Sequence, residues 1–186
     1  IVVYDLEDES FTTIDTGQAR TAGQMAQMAG FKNANIVAAA ARMHLMFDMY
    51  GQPFHGTATK TVTHAQVIAF CEECPEIHKS VFATASKWSR KYVTPSIAAF
   101  CHYEFGIADA EARDVFFEEL ETGEFSYQKS PIKVLREFML SEYGQPKKTE
   151  KGRKIAMMFK AFRLFRDGVE CKLIRPSKDI SEWFKL

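Results

Sequence analysis

The sequence lacks the long apolar run of a membrane protein, and it has few cysteines. No stretch approaches the roughly 20 consecutive apolar residues that a transmembrane helix needs, so we expect no contact with a membrane. The cysteines, Cys71, Cys74, Cys101 and Cys171, are not spaced as in the dense disulfide framework of a small secreted domain. The expected location is therefore a reducing compartment, the cytoplasm.

Net charge is also absent, because 24 Lys and Arg residues balance 24 Asp and Glu residues. The total charge therefore predicts no partner, and only the distribution of charge along the chain is informative. The glycine-rich loops that hold nucleotide phosphates are missing, and the five histidines show no HExxH spacing. We predict no cofactor, no metal site and no catalytic residue, and an enzyme is the less favoured class.

Cys71 and Cys74 form a CxxC pair, an arrangement that raises the question of a metal. Together with His78, or with Cys101 and His102, this pair supplies the residue types of a zinc site. However, the CxxC pair falls in a predicted helix, whereas structural zinc draws on two well-spaced ligand pairs. We favour the alternative, in which these thiols behave as small apolar side chains.

Apolar residues are abundant: they make up 46% of the chain, with 16 Phe, which is enough for a packed core. From Thr21 onward the apolar spacing, the capping residues and the helix-ending glycines predict helices. The fold class is therefore mainly α, a multi-helix domain. The predicted helices cover about 22–29, 34–50, 64–73, 75–92, 95–106, 109–123, 131–143 and 149–167.

The first 20 residues have a different character from the rest. Residues 1–4 and 11–14 are apolar or β-branched, which predicts a small β-containing N-terminal segment. The chain begins without Met, so we expect its true N-terminus to lie upstream or to have been removed. We therefore divide the chain into residues 1–20 and a helical domain over 21–186, whose tail leaves room for a short strand at 171–174.

Residues 22–42 have the spacing of a helix-turn-helix-like unit. Ala26 is the small residue where the two helices touch, Gly30 supplies a positive φ at the turn, and Ile36 anchors the second helix. A plain helical hairpin also satisfies this spacing, and that alternative stays open. If the unit reads DNA, its candidate contacts are polar residues near the start of the second helix: Lys32, Asn33, Asn35 and Arg42.

Charge is strongly segregated despite the neutral total. Residues 1–20 have a net charge of −4, whereas residues 147–178 contain eleven bases and three acids, a net charge of +8. Such a basic C-terminal part is typical of proteins that contact phosphate backbones, although a solvated helical face is the alternative. The predicted phosphate contacts are Lys147, Lys148, Lys151, Arg153 and Lys154. A smaller basic group surrounds Trp88: Lys79, Lys87, Arg90 and Lys91.

The segment from Phe11 to Arg20, with the pattern F-x-T-I-D-x-G-x-x-R, resembles phage and mobile-element proteins of the ParB-like (ParB/sulfiredoxin-type) group. The resemblance implies that residues 1–20 end a ParB-like β/α segment and that a helical DNA-binding or partner-binding domain follows. Members variously bind CTP, partition DNA or cut nucleic acid. Their motif maps to Asp15, Gly17 and Arg20, although a turn residue and a structural ion pair also account for Asp15 and Arg20.

Three functions follow as expectations. The first is a DNA-binding protein of phage or mobile-element origin, with phosphate contacts from the basic C-terminal segment and weak base readout. The second is an interaction factor that binds and modulates a host enzyme or defence complex. The third is a ParB-like nuclease. DNA is the expected partner, a host protein is the alternative, self-association into a homodimer stays open, and a phage-encoded chain would act in the host cytoplasm.

Overall fold

The computed structural model describes residues 20–54, 62–85, 92–142, 150–175, 177–179 and 182–186. These ranges fold into α-helices and contain no strand, which confirms the mainly α fold class. In chain order the helices are α1 (Ala22–Met28), α2 (Ala34–Tyr50), α3 (His64–Glu73), α4 (Pro75–Ala85), α5 (Pro95–Ala108), α6 (Ala110–Thr122), α7 (Pro131–Ser141) and α8 (Lys151–Arg166).

Local capping explains where several helices begin. Thr21 and Thr63 each form a capping box with a glutamine three residues later, so the threonine hydroxyl and the glutamine side chain satisfy backbone N–H groups reciprocally. The Asp109 carboxylate accepts the N–H of Ala112 at 3.0 Å and starts α6. Gly123 ends α6 in the left-handed region, at a φ of 80°.

Two predicted features are wrong. The segment 171–174 is irregular rather than a strand, and the Cys171 N–H donates to the Lys129 carbonyl, which lies outside any strand. Helix α5 continues through Gly106 to Ala108, since a glycine only weakens a helix interior, and here the Arg113 side chain of α6 occupies the space that a Cβ would fill. The predicted β-containing segment falls on residues 1–19, which lie outside the described residues.

The pair α1–α2 has the local geometry that residues 22–42 predict. Gly30 has a φ of 81°, Ala26 is fully buried, and Ile36 packs against the core. The middle of α2, from Val37 to Ala41, lies mostly inside the protein. Helix α2 contacts α1, α3, α4 and α5, so it is a central helix of the core.

A cluster of aromatic rings joins α5, α6 and α8. Phe105 stacks on Phe162, with ring centroids 4.1 Å apart and planes 6° apart, and meets Phe116 edge-on at 5.5 Å. From the C-terminal tail, Phe184 packs edge-on against Phe159 at 5.6 Å. Burying rings of this size supplies much of the hydrophobic stabilisation of a core, and here it fixes the position of α8.

Two histidines make polar contacts inside the helical core. His44 of α2 lies 2.6 Å from the Glu104 carboxylate of α5, measured from Nδ1 to Oε1. Burial raises the pKa of Glu104, and the contact with His44 opposes that rise. His102, which is 8% exposed, lies 3.0 Å from the Ser80 hydroxyl. Burial lowers the pKa of His102 to about 4, so its ring is neutral at pH 7.

None of the helices that the structure describes combines the length and the apolar character that a membrane span requires.

Candidate anion-binding pocket

In the described part of the basic C-terminal segment, several cationic side chains are held by contacts within the protein and do not join into one continuous cationic surface. Lys154 lies 2.9 Å from the Glu142 carboxylate, and both side chains are only 14% exposed. This ion pair neutralises the Lys154 ammonium and ties α8 to the end of α7. Lys154 is therefore placed away from solvent, unlike the exposed phosphate contact that the sequence suggested.

Further along α8, two cations hold the C-terminal tail. The Lys160 ammonium donates to the Arg175 carbonyl at 3.0 Å, and Arg163 reaches the Lys185 carbonyl at 3.5 Å. Both line a small pocket of about 170 Å³ that also contains the Glu182 carboxylate. These contacts give Lys160 and Arg163 a structural role.

The first turn of α8 is different. Lys151 and Arg153 are exposed and make no ion pair or hydrogen bond with the part of the chain that the structure describes. Between them, Gly152 has no atom within 4 Å of the position that a Cβ would occupy. A helix N-terminus carries a partial positive charge, so two unneutralised cations in the first turn raise the local potential further. Lys151 and Arg153 thus present their charges at an open helix start, next to the exposed Glu150 of the N-cap.

A pocket of about 340 Å³ opens beside this turn, between α2, α5 and α8. Arg42, from the middle of α2, and Lys151 supply its two cationic groups, and no Asp or Glu is among the described residues that line it. The Arg42 guanidinium donates to the Val62 carbonyl at 3.1 Å, which fixes the side chain at the edge of the pocket. A carbonyl leaves the charge of Arg42 intact, so the pocket favours an anion.

Helix α5 contributes hydroxyl and backbone donors to the same pocket. Thr94 and Ser96 line it, and their hydroxyl oxygens lie 3.2 Å apart. Thr94 makes no side-chain capping bond, and Pro95 lacks an N–H, so the N–H groups of Ser96 and Ile97 have no side-chain cap. Backbone N–H groups at the start of a helix are good donors to phosphate or carboxylate oxygens.

The remaining wall of the pocket is apolar. Ala39, Met43 and Met46 share one face of α2 with Arg42, since these residues recur at helical spacing. Phe54, which follows Pro53 at the end of the α2 region, lines the opening and is 40% exposed. The pocket therefore places two cations and two hydroxyl groups beside a wall that binds apolar groups.

Another pocket has the opposite electrostatic character. It measures about 450 Å³ and lies between α4, α5 and α6, where Asp114, Glu118 and Glu121 line it together with His102. Three carboxylates on one helical face repel a phosphate. The pocket between α2, α5 and α8 is better suited to an anion than this acidic pocket, or than the small pocket that contains Glu182.

The residues predicted to contact DNA near the start of α2 are exposed, but each occupies a different structural position. Lys32 lies in the turn. Asn33 is the N-cap of α2 in the left-handed region, with a φ of 55° and no side-chain capping bond. Asn35 lies against Gly23, where its amide would contact any added Cβ. Arg42, the fourth predicted contact, belongs instead to the pocket.

Several predicted site residues fall outside the described residues: Asp15, Gly17, Lys147 and Lys148. Arg20 is half-buried, and its guanidinium lies 3.3 Å from the Met28 sulfur. Of Asp15, Gly17 and Arg20, the structure therefore describes only Arg20.

The cysteines are unpaired, and no described group of three His, Cys, Asp or Glu residues has an arrangement that would hold a metal ion. Burial raises the pKa of Cys71 to about 11, with a smaller contribution from Cys74, so this thiol is protonated at neutral pH. A protonated, buried thiol is a poor nucleophile and a poor ligand.

Sequence reasoning missed the contributions of Thr94, Ser96 and Phe54. The Thr-Pro pair did predict the start of α5, but nothing local indicated that this start lies beside Arg42 and Lys151. That proximity comes from the packing of α2, α5 and α8, which lie far apart in the chain.

A comparison with known proteins finds no matching family model, no matching curated protein and no matching solved structure.

Proposed function

We propose that this protein binds DNA through its phosphate groups, with a backbone phosphate bound at the edge of the pocket between α2, α5 and α8. The observation that carries this proposal is the meeting of Arg42 and Lys151 in one pocket with no carboxylate among its described lining residues. Cations that lack an internal acidic partner are available to replace the counterions of a polyanion.

The charge of the neighbouring sequence supports the same proposal. Lys151 belongs to the basic segment 147–178, whose eleven bases and three acids give a net charge of +8, whereas residues 1–20 have a net charge of −4. Such sign segregation in a neutral protein favours a polyanionic partner.

Base readout should be weak. The middle of α2 is buried in the core, so only Lys32, Asn33 and Asn35 near its start offer side chains to a base edge. Asn35 also lies against Gly23. Binding is therefore expected to depend on phosphate contacts more than on sequence, and such binding falls steeply with added salt.

Fluorescence anisotropy with a labelled duplex over a range of salt concentrations tests the proposal. The exposed side chain in Lys151→Gln should not disturb folding, and this variant should weaken binding equally for unrelated sequences. It should also lower the slope of log affinity against log salt by about one unit. Arg42→Gln combined with Lys151→Gln should lower the slope by about two.

Lys172→Gln is the matched control, because it removes the same charge from an exposed position that does not line the pocket. It should leave affinity and salt slope close to those of the unmodified protein. Equal losses from Lys151→Gln and Lys172→Gln would show that the pocket has no special role. No binding at low salt would overturn the DNA assignment itself.

A further inference from the structure

The pocket contains more than a phosphate site requires, since its apolar wall lies directly beside the cations. Met43, Met46 and Ile97 are buried in the core and reach the pocket surface, and Phe54 exposes 40% of its area at the opening. A phosphate or sulfate ion gains nothing from such a wall. A ligand that joins an anionic group to a flat apolar ring uses both halves of the pocket.

A nucleotide whose base is unpaired has this chemistry. In a duplex the faces of the bases are covered by stacking on their neighbours, so a protein wall beside the phosphate meets only backbone and groove edges. In a single strand the face of a base is free to stack on an aromatic ring, and the phosphate remains beside the base. The volume of about 340 Å³ lies within the range of small-ligand sites, about 300–1,000 Å³.

We propose that this pocket binds an unpaired nucleotide of single-stranded DNA, with the phosphate at Arg42 and Lys151 and the base against Phe54 and the methionine wall. This inference rests on the proposed DNA binding and narrows it to one form of the polymer. The Met43 and Met46 side chains suit bases of different shape, because an unbranched thioether adapts to an irregular surface. We therefore expect the pocket to show little preference among the four bases.

Three labelled probes of equal length separate the parts of this proposal: a mixed-sequence single strand, the corresponding duplex, and an abasic single strand with the same phosphates. At matched salt, the ordinary single strand should bind about tenfold more tightly than the abasic strand, the difference that stacking of a base makes. It should also bind more tightly than the duplex. Lys151→Gln should weaken binding of all three probes.

Phe54→Ala is the decisive variant. It should remove most of the preference for the ordinary single strand and leave duplex and abasic affinities unchanged. Phe54→Trp should retain the preference, because it keeps an aromatic face. Phe82→Ala is the matched control, since Phe82 is 82% exposed on α4 and does not line the pocket. Melting temperatures of all variants establish that each one is folded.

The outcomes distinguish this inference from the proposed function. Equal affinity for the three probes would overturn the unpaired-base site while leaving phosphate binding intact. A loss of duplex binding in Phe54→Ala as large as the loss of single-strand binding would also overturn it. Failure of every probe to bind would overturn DNA binding as a whole.

Discussion

His102 shows how burial sets the behaviour of a single ionisable side chain. Its ring contacts the Ser80 hydroxyl and meets Phe117 edge-on, with centroids 5.0 Å apart. Water is largely excluded, and Arg113 adds a repulsive charge, so the pKa falls from 6.5 to about 4. The neutral ring is therefore part of the native core, and protonating it would introduce a buried charge.

Acid should destabilise the protein through this residue. The unfolded chain protonates His102 as the pH falls through 6.5, whereas the folded protein does so only near 4. The free energy of unfolding should therefore decrease across this window, by at most roughly 3 kcal/mol from His102 alone. Urea titrations at several pH values should show a shallower pH dependence for His102→Gln.

His64→Gln serves as the control for that experiment. His64 lies in the first turn of α3, where it is only half-buried. Replacing it should leave the acid-induced loss of stability unchanged. An identical pH dependence in the unmodified protein and in His102→Gln would contradict the assignment.

At the scale of a helix, two glycines illustrate how position decides the effect of the same substitution. Gly123 ends α6 with a φ of 80°, and the Arg136 guanidinium lies 2.9 Å from the position that a Cβ would occupy. Arg136 also donates to the Leu120 carbonyl at 3.1 Å and so closes the end of α6. A side chain at Gly123 would strain the backbone and displace this arginine.

Gly123→Ala should therefore lower the free energy of unfolding by about 1–2 kcal/mol. Gly152→Ala is the comparison, since Gly152 is helical and has open space around it. It should leave the free energy of unfolding unchanged or raise it by about 0.5–1 kcal/mol. Thermal and urea unfolding of both variants measure the difference. A loss in Gly152→Ala as large as that in Gly123→Ala would contradict the interpretation.

Helices could be predicted well because their signals are local. Thr21, Thr63 and Asp109 precede helices that begin as expected, and Gly51 and Gly123 follow helices that end there. The end of α5 was misplaced because Gly106 resembles a helix terminator in the sequence. In the structure Gly106 is an interior position beside Arg113, and a contact between two helices is invisible to local reasoning.

The candidate site was predicted only in fragments for the same physical reason. The charge of the sequence predicted phosphate contacts at Lys151, Arg153 and Lys154. Their surroundings differ because successive side chains of a helix point about 100° apart. Lys154 meets Glu142 in the interior, while Lys151 reaches the pocket. The second cation of the pocket is Arg42, which lies more than a hundred residues from Lys151 in the sequence.

At the scale of the whole molecule, the pocket links ligand binding to folding. Its walls come from α2, α5 and the first turn of α8, which meet only in the native state. A ligand that binds the folded protein and not the unfolded chain raises the melting temperature. Sulfate at concentrations well above its dissociation constant should stabilise the folded state by roughly 1–2 kcal/mol. A stabilisation of this size raises the melting temperature by a few degrees.

Differential scanning fluorimetry with sodium sulfate, and with sodium chloride at equal ionic strength, measures this effect. The specific rise should disappear in Lys151→Gln and persist in Lys172→Gln. A rise of equal size in Lys151→Gln would mean that sulfate acts through general salt effects instead.

The assembly of the pocket from distant segments also limits how the protein can be dissected. The conventional mapping of a binding region by truncation assumes that some fragment keeps the activity. Any cut between Phe54 and Lys151 leaves Arg42 on one fragment and Lys151 on the other. Neither fragment then contains the whole pocket, so both should be inactive. Point substitutions in the intact chain are therefore the appropriate means of locating binding here.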